Sequence, residues 1–223
     1  MSRGDGSCFH DQRIYVYILV PTVRFLSVSS YSITQTVQDI ESILSQVNLP
    51  SKRVHLLGHS YGGVLGYELA CKKPELVQSL ILSNAPTNIK VSNDEYERLY
   101  KMNPLTFWNK HACRVGTPAP LQDAMAHAGS VWMGMDVVLD YVAQPSVNIE
   151  VLPPTLVVSG SNDFAYKTSN KDAWRELLPY CTVVNFDHGA HYPFYESGPE
   201  YGRIVEEFLS AFEGNASGSE RDE

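Results

Sequence analysis

The chain has 223 residues, of which 43% are hydrophobic and 19% are charged, and its formal net charge is −8. A chain of this length can bury one hydrophobic core, and its apolar runs are shorter than the ~20 residues that a membrane helix needs. The negative charge and the scattered Lys and Arg residues argue against nucleic acid as a partner, because binding to phosphates depends on clustered cations. We therefore expect a soluble globular protein with no nucleic-acid and no membrane partner.

The cysteines give no pattern typical of a metal site or a disulfide scaffold. They lie far apart, with no C-x-x-C pair, at Cys8, Cys71, Cys113 and Cys181. Free thiols are typical of a reducing compartment, so we expect a cytoplasmic protein. A signal peptide is the alternative interpretation of the N-terminus, because Arg13 precedes the apolar run 14–20, but acidic residues lie upstream and no cleavage site is obvious.

From Ser32 onward, hydrophobic periodicity divides the chain into alternating helices and strands. The first predicted helix has Ser32 as its N-cap and Pro50 as its stop. We then predict strands at 54–57, 77–82, 155–159 and 182–186, and helices at 61–73, 171–178 and 201–212. This alternation predicts an α/β fold with a parallel sheet and helices on both faces.

Between residues 87 and 152 the alternation stops, and short polar and aromatic helix-like stretches replace it. We interpret this segment as a helical cap inserted into a single domain that spans residues 1–212. Residues 213–223 have no apolar anchors, so we expect them to form a disordered tail.

Residues 58–63 read Gly-His-Ser-Tyr-Gly-Gly and contain the pattern G-x-S-x-G around Ser60. The pattern lies between a predicted strand and a predicted helix, where a sharp turn raises a serine hydroxyl above the edge of the sheet. Such a turn strains the backbone and needs neighbours without side chains. We predict that this nucleophile turn comprises Gly58, His59, Ser60, Gly62 and Gly63, with His59 as a packing residue. The backbone N–H of Tyr61 is the predicted donor to an oxyanion.

A serine nucleophile needs a base, and the base needs a carboxylate that orients it. Asp163 directly follows the strand 155–159 and so lies at the carboxyl edge of the sheet, where open α/β sheets build their sites. Other acids lie in the predicted cap or on a helix and fit less well; they are Asp136, Asp140 and Asp172. We therefore predict Asp163 as the acid.

The sequence after the last strand, Asp-His-Gly-Ala-His at 187–191, offers two bases. We favour His191 over His188, because Gly189 and Ala190 permit a tight loop that swings His191 toward the nucleophile. His188 adjoins the end of the strand.

These motifs resemble the proline iminopeptidase (prolyl aminopeptidase) branch of the α/β-hydrolase superfamily. The resemblance is carried by residues 58–63 and by Ser-Leu-Ile-Leu-Ser-Asn-Ala-Pro at 79–86, and it extends over residues 7–13 and 30–212. Asp-Gln-Arg at 11–13, Gly160-x-x-Asp163 and Gly189-x-His191 match further landmarks in order. The resemblance implies an α/β-hydrolase fold, no metal or cofactor, and release of an N-terminal residue, typically proline, from small peptides. Related members cleave amides or esters.

The chain also departs from that family in two ways. Residues 14–20 are foreign to the family pattern, and the first strands are missing together with a His-Gly-Gly-Pro-Gly loop that supplies half of the oxyanion hole. We therefore expect an N-terminally incomplete α/β-hydrolase. Our first hypothesis is a serine hydrolase of the proline iminopeptidase type that acts on small peptides. The alternatives are a catalytically impaired, hydrolase-like binding protein and an esterase for small molecules.

Two further expectations concern the substrate and the sheet edge. Glu95 and Glu97 are conceivable acids for the ammonium group of a peptide, but we favour a solvated helix face for both, so an esterase stays open. Without the family's first strands, 54–57 would be an exposed apolar edge that invites aggregation. We predict that 14–20 forms a substitute strand, beside 54–57 or at another edge. If this strand pairs, an N–H near Pro21 would partly replace the lost oxyanion donor.

Overall fold

The computed structural model of the protein describes residues 15–18, 32–47, 53–126 and 135–212, and it describes the backbone alone for residues 15–18, 124, 135 and 136. The strands in these residues are β1 Tyr15–Ile18, β2 Val54–His59, β3 Val77–Ser83, β4 Thr155–Gly160 and β5 Thr182–Phe186. The α-helices are α1 Ile33–Gln46, α2 Tyr61–Lys72, α3 Ile89–Met102, α4 Pro104–Phe107, α5 Ala119–Ala126, α6 Met135–Val138, α7 Tyr166–Ser169, α8 Lys171–Arg175, α9 Pro193–Glu196 and α10 Gly198–Ser210. None of the helices in the described ranges is both long and apolar enough to span a bilayer.

The strands form one parallel sheet in the order β1-β2-β3-β4-β5. Leu56 pairs with Leu80, and Ile81 pairs with Leu156, so apolar side chains continue across the middle of the sheet. Parallel neighbours need a crossover connection, and α2 provides one between β2 and β3. The parallel α/β architecture predicted from the sequence is confirmed.

Helices cover both faces of the sheet because successive strand residues point to opposite sides. Leu80 and Leu82 pack in one buried cluster with residues of α1 and α2. Ile81, which lies between them, packs in a second cluster with Tyr201 and Leu209 of α10. The sheet is therefore buried between two layers of helices, as the sequence predicted.

Local sequence signals fix several helix boundaries. Ser32 Oγ accepts a hydrogen bond of 3.0 Å from Gln35 N–H at the start of α1, as predicted for an N-cap. The predicted helix 171–178 is shorter in the structure, because the N–H groups of Leu177 and Leu178 both turn back to the carbonyl of Trp174. The indole Nε1–H of Trp174 donates to the Ala85 carbonyl at 2.8 Å, which fixes this turn against the end of β3.

Strand β1 lies beside β2, where the sequence predicted a substitute strand. It is shorter than the predicted segment 14–20, and its parallel register runs from Tyr15 opposite His55 to Ile18 opposite Gly58. The pairing removes the exposed edge that β2 would otherwise present. The predicted donor near Pro21 and the predicted tail 213–223 lie outside the described residues.

The segment between β3 and β4, residues 84–154, carries α3 to α6 and a short π-helix at Trp108–Ala112. Its aromatic side chains pack together: the ring of Tyr96 lies 4.8 Å from that of Phe107 and 5.4 Å from that of Phe164, between ring centroids. Phe164 follows the predicted acid Asp163, so this cluster joins the segment to the carboxyl edge of the sheet. Its action as a cap stays a prediction.

Candidate active site

Ser60 lies in the sharp turn between β2 and α2. Its φ of 52° and ψ of −125° fall in a region that L-residues rarely occupy. Two hydrogen bonds hold the turn: Ser60 N–H donates to the Ser83 carbonyl, and Gly63 N–H donates to the Ser60 carbonyl, both at 2.9 Å. The strained conformation presents the hydroxyl at the carboxyl edge of the sheet.

The glycines around Ser60 are required by close approach of the backbone. A Cβ atom on Gly58 would lie 2.4 Å from the carbonyl oxygen of Gly62, and one on Gly63 would lie 2.3 Å from Ala85 Cβ. Both separations are shorter than any contact that carbon atoms tolerate. The turn predicted from the sequence therefore places α2 directly against the ends of β2 and β3.

The structure brings Ser60, His191 and Asp163 into one chain of hydrogen bonds. His191 Nε2 lies 2.9 Å from Ser60 Oγ, and His191 Nδ1 lies 2.8 Å from Asp163 Oδ1. An ionised carboxylate only accepts hydrogen bonds, so Nδ1 carries the ring proton and Nε2 is left to accept the serine proton. Asp163 and His191 are 5% and 4% exposed, which shields their contact from water.

The carboxylate of Asp163 is oriented by the turn that follows β4. Its Oδ1 also accepts a hydrogen bond of 2.9 Å from Ala165 N–H, and Asp163 N–H donates to the Gly160 carbonyl. The alternative acids Asp140 and Asp172 are exposed, and the side chain of Asp136 lies outside the described residues.

His188, the alternative base, is exposed in the turn after β5, while His191 is buried beside Ser60. The backbone carbonyl of His188 accepts hydrogen bonds from Arg114 Nη1 and from Asn162 Nδ2. These bonds fix the start of the loop that leads to His191. His188 thus contributes its backbone to the loop and not its imidazole to the site.

The loop that carries His191 is held through its next three carbonyl groups as well. The carbonyl of Gly189 accepts from Asn162 N–H at 2.8 Å, that of Ala190 from Asn84 Nδ2 at 2.7 Å, and that of His191 from His59 Nε2 at 2.7 Å. Asn84 was not among the site residues predicted from the sequence. The available signal was a polar residue directly after β3, at the edge of the sheet where sites form.

His59 does more than fill space in the nucleophile turn. Its ring packs against the rings of His191, Tyr192 and Phe194 at centroid distances of 4.7, 5.0 and 5.0 Å. Burial, together with the nearby His191, lowers the pKa of His59 to about 3. The imidazole is therefore neutral at neutral pH and donates its single N–H to the His191 carbonyl.

A cavity of about 220 Å³ opens beside Ser60. Its lining residues in the described part of the chain are Ser60, Tyr61, Pro86, Ile89, Ser92, Asn93, Tyr96, Val138, Phe164 and Ala165. None of these side chains carries a charge at neutral pH. The cavity thus offers an apolar space with a few hydroxyl and amide groups, a composition typical of small-molecule sites.

The two acids considered for an ammonium group do not line this cavity. Glu95 forms ion pairs with Arg98 at 2.6 Å and with Lys167 at 3.0 Å, and Arg98, followed by Lys167, lowers the pKa of Glu95 to about 2. Glu97 pairs with Lys101 on the exposed side of α3. Both carboxylates therefore already have cationic partners. Within the described ranges, no group of three His, Cys, Asp or Glu side chains is arranged to hold a metal ion.

Comparison with known proteins agrees with this architecture. The family model described as the alpha/beta hydrolase fold matches residues 20–112. The crystal structure of VinJ superposes with a TM-score of 0.67 at 17% identity, covering 83% of this chain and 75% of that chain. The protein has the α/β-hydrolase fold. The crystal structure of proline iminopeptidase from Mycobacterium smegmatis shares this α/β-hydrolase fold with a TM-score of 0.63 at 20% identity, covering 83% and 74% of the two chains.

The relatives found by sequence include a putative carbamate hydrolase and a proline iminopeptidase. The putative carbamate hydrolase RutD of Pseudomonas savastanoi pv. phaseolicola is 25% identical over 201 residues, which cover 82% of this chain and 77% of the relative. The proline iminopeptidase of Lactobacillus delbrueckii subsp. bulgaricus is 36% identical, but over 77 residues, which cover 34% of this chain and 25% of the relative. The motifs led us to expect a resemblance to the iminopeptidase branch over residues 7–13 and 30–212. The match to this proline iminopeptidase extends over 77 residues only.

Proposed function

We propose that the protein is a serine hydrolase that cleaves an ester or amide bond, with Ser60 as nucleophile, His191 as base and Asp163 as the acid that orients it. The observation that carries the proposal is the continuous chain from Ser60 Oγ through both ring nitrogens of His191 to Asp163 Oδ1. The strained turn at Ser60 supports it, because such strain persists where the hydroxyl must be presented to a substrate.

In the proposed reaction, Ser60 Oγ attacks the carbonyl carbon of the substrate while His191 Nε2 takes the serine proton. Asp163 stabilises the imidazolium that forms and keeps its ring oriented. The N–H of Tyr61, in the first turn of α2, is the proposed donor to the oxyanion. His191 then passes its proton to the leaving alcohol or amine, and a water molecule activated by the same ring releases the acyl group.

We propose that the substrate is small and uncharged around its scissile bond. The side chains that line the cavity beside Ser60 in the described residues carry no charge, and the cavity measures about 220 Å³. A charged group placed there would lose its hydration without gaining a partner, which costs several kcal/mol. A small apolar ester or amide fits this environment, and we propose no metal or cofactor for the reaction.

An aminopeptidase of the proline iminopeptidase type is the second candidate function. The observation in its favour is the 36% identity to a proline iminopeptidase over 77 residues. Such an enzyme must hold a free ammonium group, and Glu95, one of the two acids considered for that role, is already paired with Arg98 and Lys167. We therefore place the ester or uncharged amide first.

A fluorophosphonate probe tests the proposed nucleophile directly. Wild-type protein is expected to be labelled at one serine, identified by peptide mass spectrometry as Ser60, and S60A is expected to be unlabelled. S45A is the matched control, since Ser45 is exposed on α1 and bonds only within its own helix. Labelling that persists in S60A, or no labelling of folded wild-type protein, contradicts the proposal and favours a binding protein without activity.

Paired substrates separate the two candidate functions. Hydrolysis of a short p-nitrophenyl ester without hydrolysis of proline p-nitroanilide supports the esterase, and the reverse supports the aminopeptidase.

We propose the cytoplasm as the compartment of the protein, because the thiols of Cys71, Cys113 and Cys181 form no disulfide in the described residues.

A further inference from the structure

We infer that His59 is a positioning residue for the proposed base: its Nε2–H holds the carbonyl group of His191 and thereby fixes the His191 imidazole against Ser60. The inference rests on the proposed function of Ser60 and His191. It goes beyond that function because His59 is not among the residues that line the cavity beside Ser60, and its Nε2–H bonds to the backbone of His191 and not to Ser60 Oγ or to the imidazole of His191.

The hydrogen bond joins the two loops that must meet for catalysis. His59 is the last residue of β2 and is covalently linked to Ser60, while His191 lies 132 residues away in the loop after β5. The bond from His59 Nε2 to the His191 carbonyl is 2.7 Å long and fully buried. The bond thus links the backbone of His191, the proposed base, to the side chain that precedes Ser60, the proposed nucleophile.

The chemistry of the acceptor determines which nitrogen of His59 carries the proton. A carbonyl oxygen only accepts, so Nε2 is the protonated nitrogen. Burial keeps the pKa of His59 low, at about 3, so the ring is in this neutral form at neutral pH. A neutral ring also avoids a second positive charge next to the imidazolium that forms on His191, whose centroid lies 4.7 Å away.

The carbonyl of His191 has to be held because the ring of His191 lies at the end of a loop. Asn84 fixes the preceding carbonyl, of Ala190, so the two bonds together hold the peptide groups on both sides of the His191 Cα atom, from which the imidazole extends. The ring must satisfy bonds of 2.9 Å to Ser60 and 2.8 Å to Asp163 at once. A displacement of ~1 Å is enough to cost about 10²-fold in rate.

Three substitutions test the role. In H59Q the amide nitrogen can reach the position of Nε2 and donate the same bond, whereas in H59N the side chain is one methylene shorter and the amide falls short of the carbonyl. F194L is the packing control, because Phe194 contacts the His59 ring edge-on but donates nothing to the loop. Active sites are counted by end-point labelling with the fluorophosphonate, and kcat and KM for a short p-nitrophenyl ester are expressed per labelled site.

We expect kcat of H59N to fall by about 10²-fold with KM little changed, H59Q to recover most of that loss, and F194L to keep the wild-type kcat per labelled site. A residue with a merely structural role would lower the labelled fraction and leave kcat per labelled site intact. Equal kcat values for H59N and H59Q, or a wild-type value for H59N, overturn the inference. Failure of wild-type protein to be labelled at Ser60 refutes the proposed function instead, so the two failures are distinguishable.

Discussion

Substitution of Gly63 by alanine tests how closely α2 must approach the sheet. The new Cβ atom would lie 2.3 Å from Ala85 Cβ and 3.1 Å from the carbonyl oxygen of Gly58. Carbon atoms separate to about 3.5–4.0 Å at their energy minimum, so an overlap of more than ~1 Å has to be relieved. Neither Cβ can rotate away, because each is fixed by its own backbone, and Ala85 is 1% exposed.

Relief therefore requires a shift of α2 away from the end of β3. Overpacking of this kind costs about 1–3 kcal/mol, and the backbone contacts place G63A at the upper end. For a domain of this size, a loss of about 3 kcal/mol lowers the melting temperature by about 6–12 °C. The shift also displaces Ser60, which precedes the helix, so we expect activity per folded molecule to fall as well.

Urea unfolding and calorimetry of G63A, A85G and the double variant give the measurement. A85G removes the methyl group that the added Cβ of G63A would strike. The double variant should therefore lose less free energy of unfolding than the two single variants lose together, by about 1–2 kcal/mol. G202A is the control, since a Cβ there meets nothing within 4 Å on α10, and replacing glycine in a helix should add about 0.5–1 kcal/mol. Strictly additive effects, or a G63A protein as stable as G202A, would refute the packing argument.

Three further predictions concern the acid, an ion pair and the edge strand. D163N is expected to fold but to lose about 10⁴-fold in kcat, because the amide no longer stabilises the required tautomer of His191; a loss below tenfold in ester hydrolysis would exclude Asp163 as the acid. Arg98, followed by Lys167, lowers the pKa of Glu95 from 4.5 to about 2, so the pairing adds stability above pH 4.5 that is lost as the pH falls toward 2. E95Q should therefore lower the urea midpoint at pH 7 and have a shrinking effect below pH 4.5, and an effect independent of pH would contradict this. Deletion of residues 15–18 should expose the edge of β2 and reduce the soluble yield and melting temperature, whereas an equally soluble deletion variant would show that β1 does not protect the sheet.

The parts of the fold that the sequence predicted are those governed by local signals. β5 was predicted at 182–186 and is found there, because an apolar run bounded by turn residues leaves little freedom in its placement. The turn at Ser60 was predicted because its glycines are neighbours in sequence as well as in space. The meeting of Ser60, Asp163 and His191 was predicted because each follows a strand, and parallel strands end at a common edge of the sheet.

The contacts that hold the His191 loop could not be predicted in this way. Asn84 reaches the Ala190 carbonyl across 106 residues, and His59 reaches the His191 carbonyl across 132 residues. No local periodicity encodes such a pairing, and a single histidine beside a serine is as compatible with packing as with a hydrogen bond. The sequence predicted that a histidine would lie near Ser60, and the fold shows which groups hold the loop of His191 there.

The backbone strain in the described residues lies at this same edge. Ser60 and Asn84 are the non-glycine residues there with positive φ, at 52° and 48°, and each such conformation costs about 1–3 kcal/mol. Both are held by hydrogen bonds from the sheet: Ser60 N–H donates to Ser83, and Asn84 N–H donates to Val158 at 2.8 Å. In the described residues, this strain lies at Ser60, which carries the hydroxyl, and at Asn84, which holds the loop of His191. The buried core of the sheet therefore stabilises an arrangement that the isolated segments would not adopt. A turn with ordinary backbone angles at Ser60 would be less strained, but it would move the serine hydroxyl away from His191 Nε2.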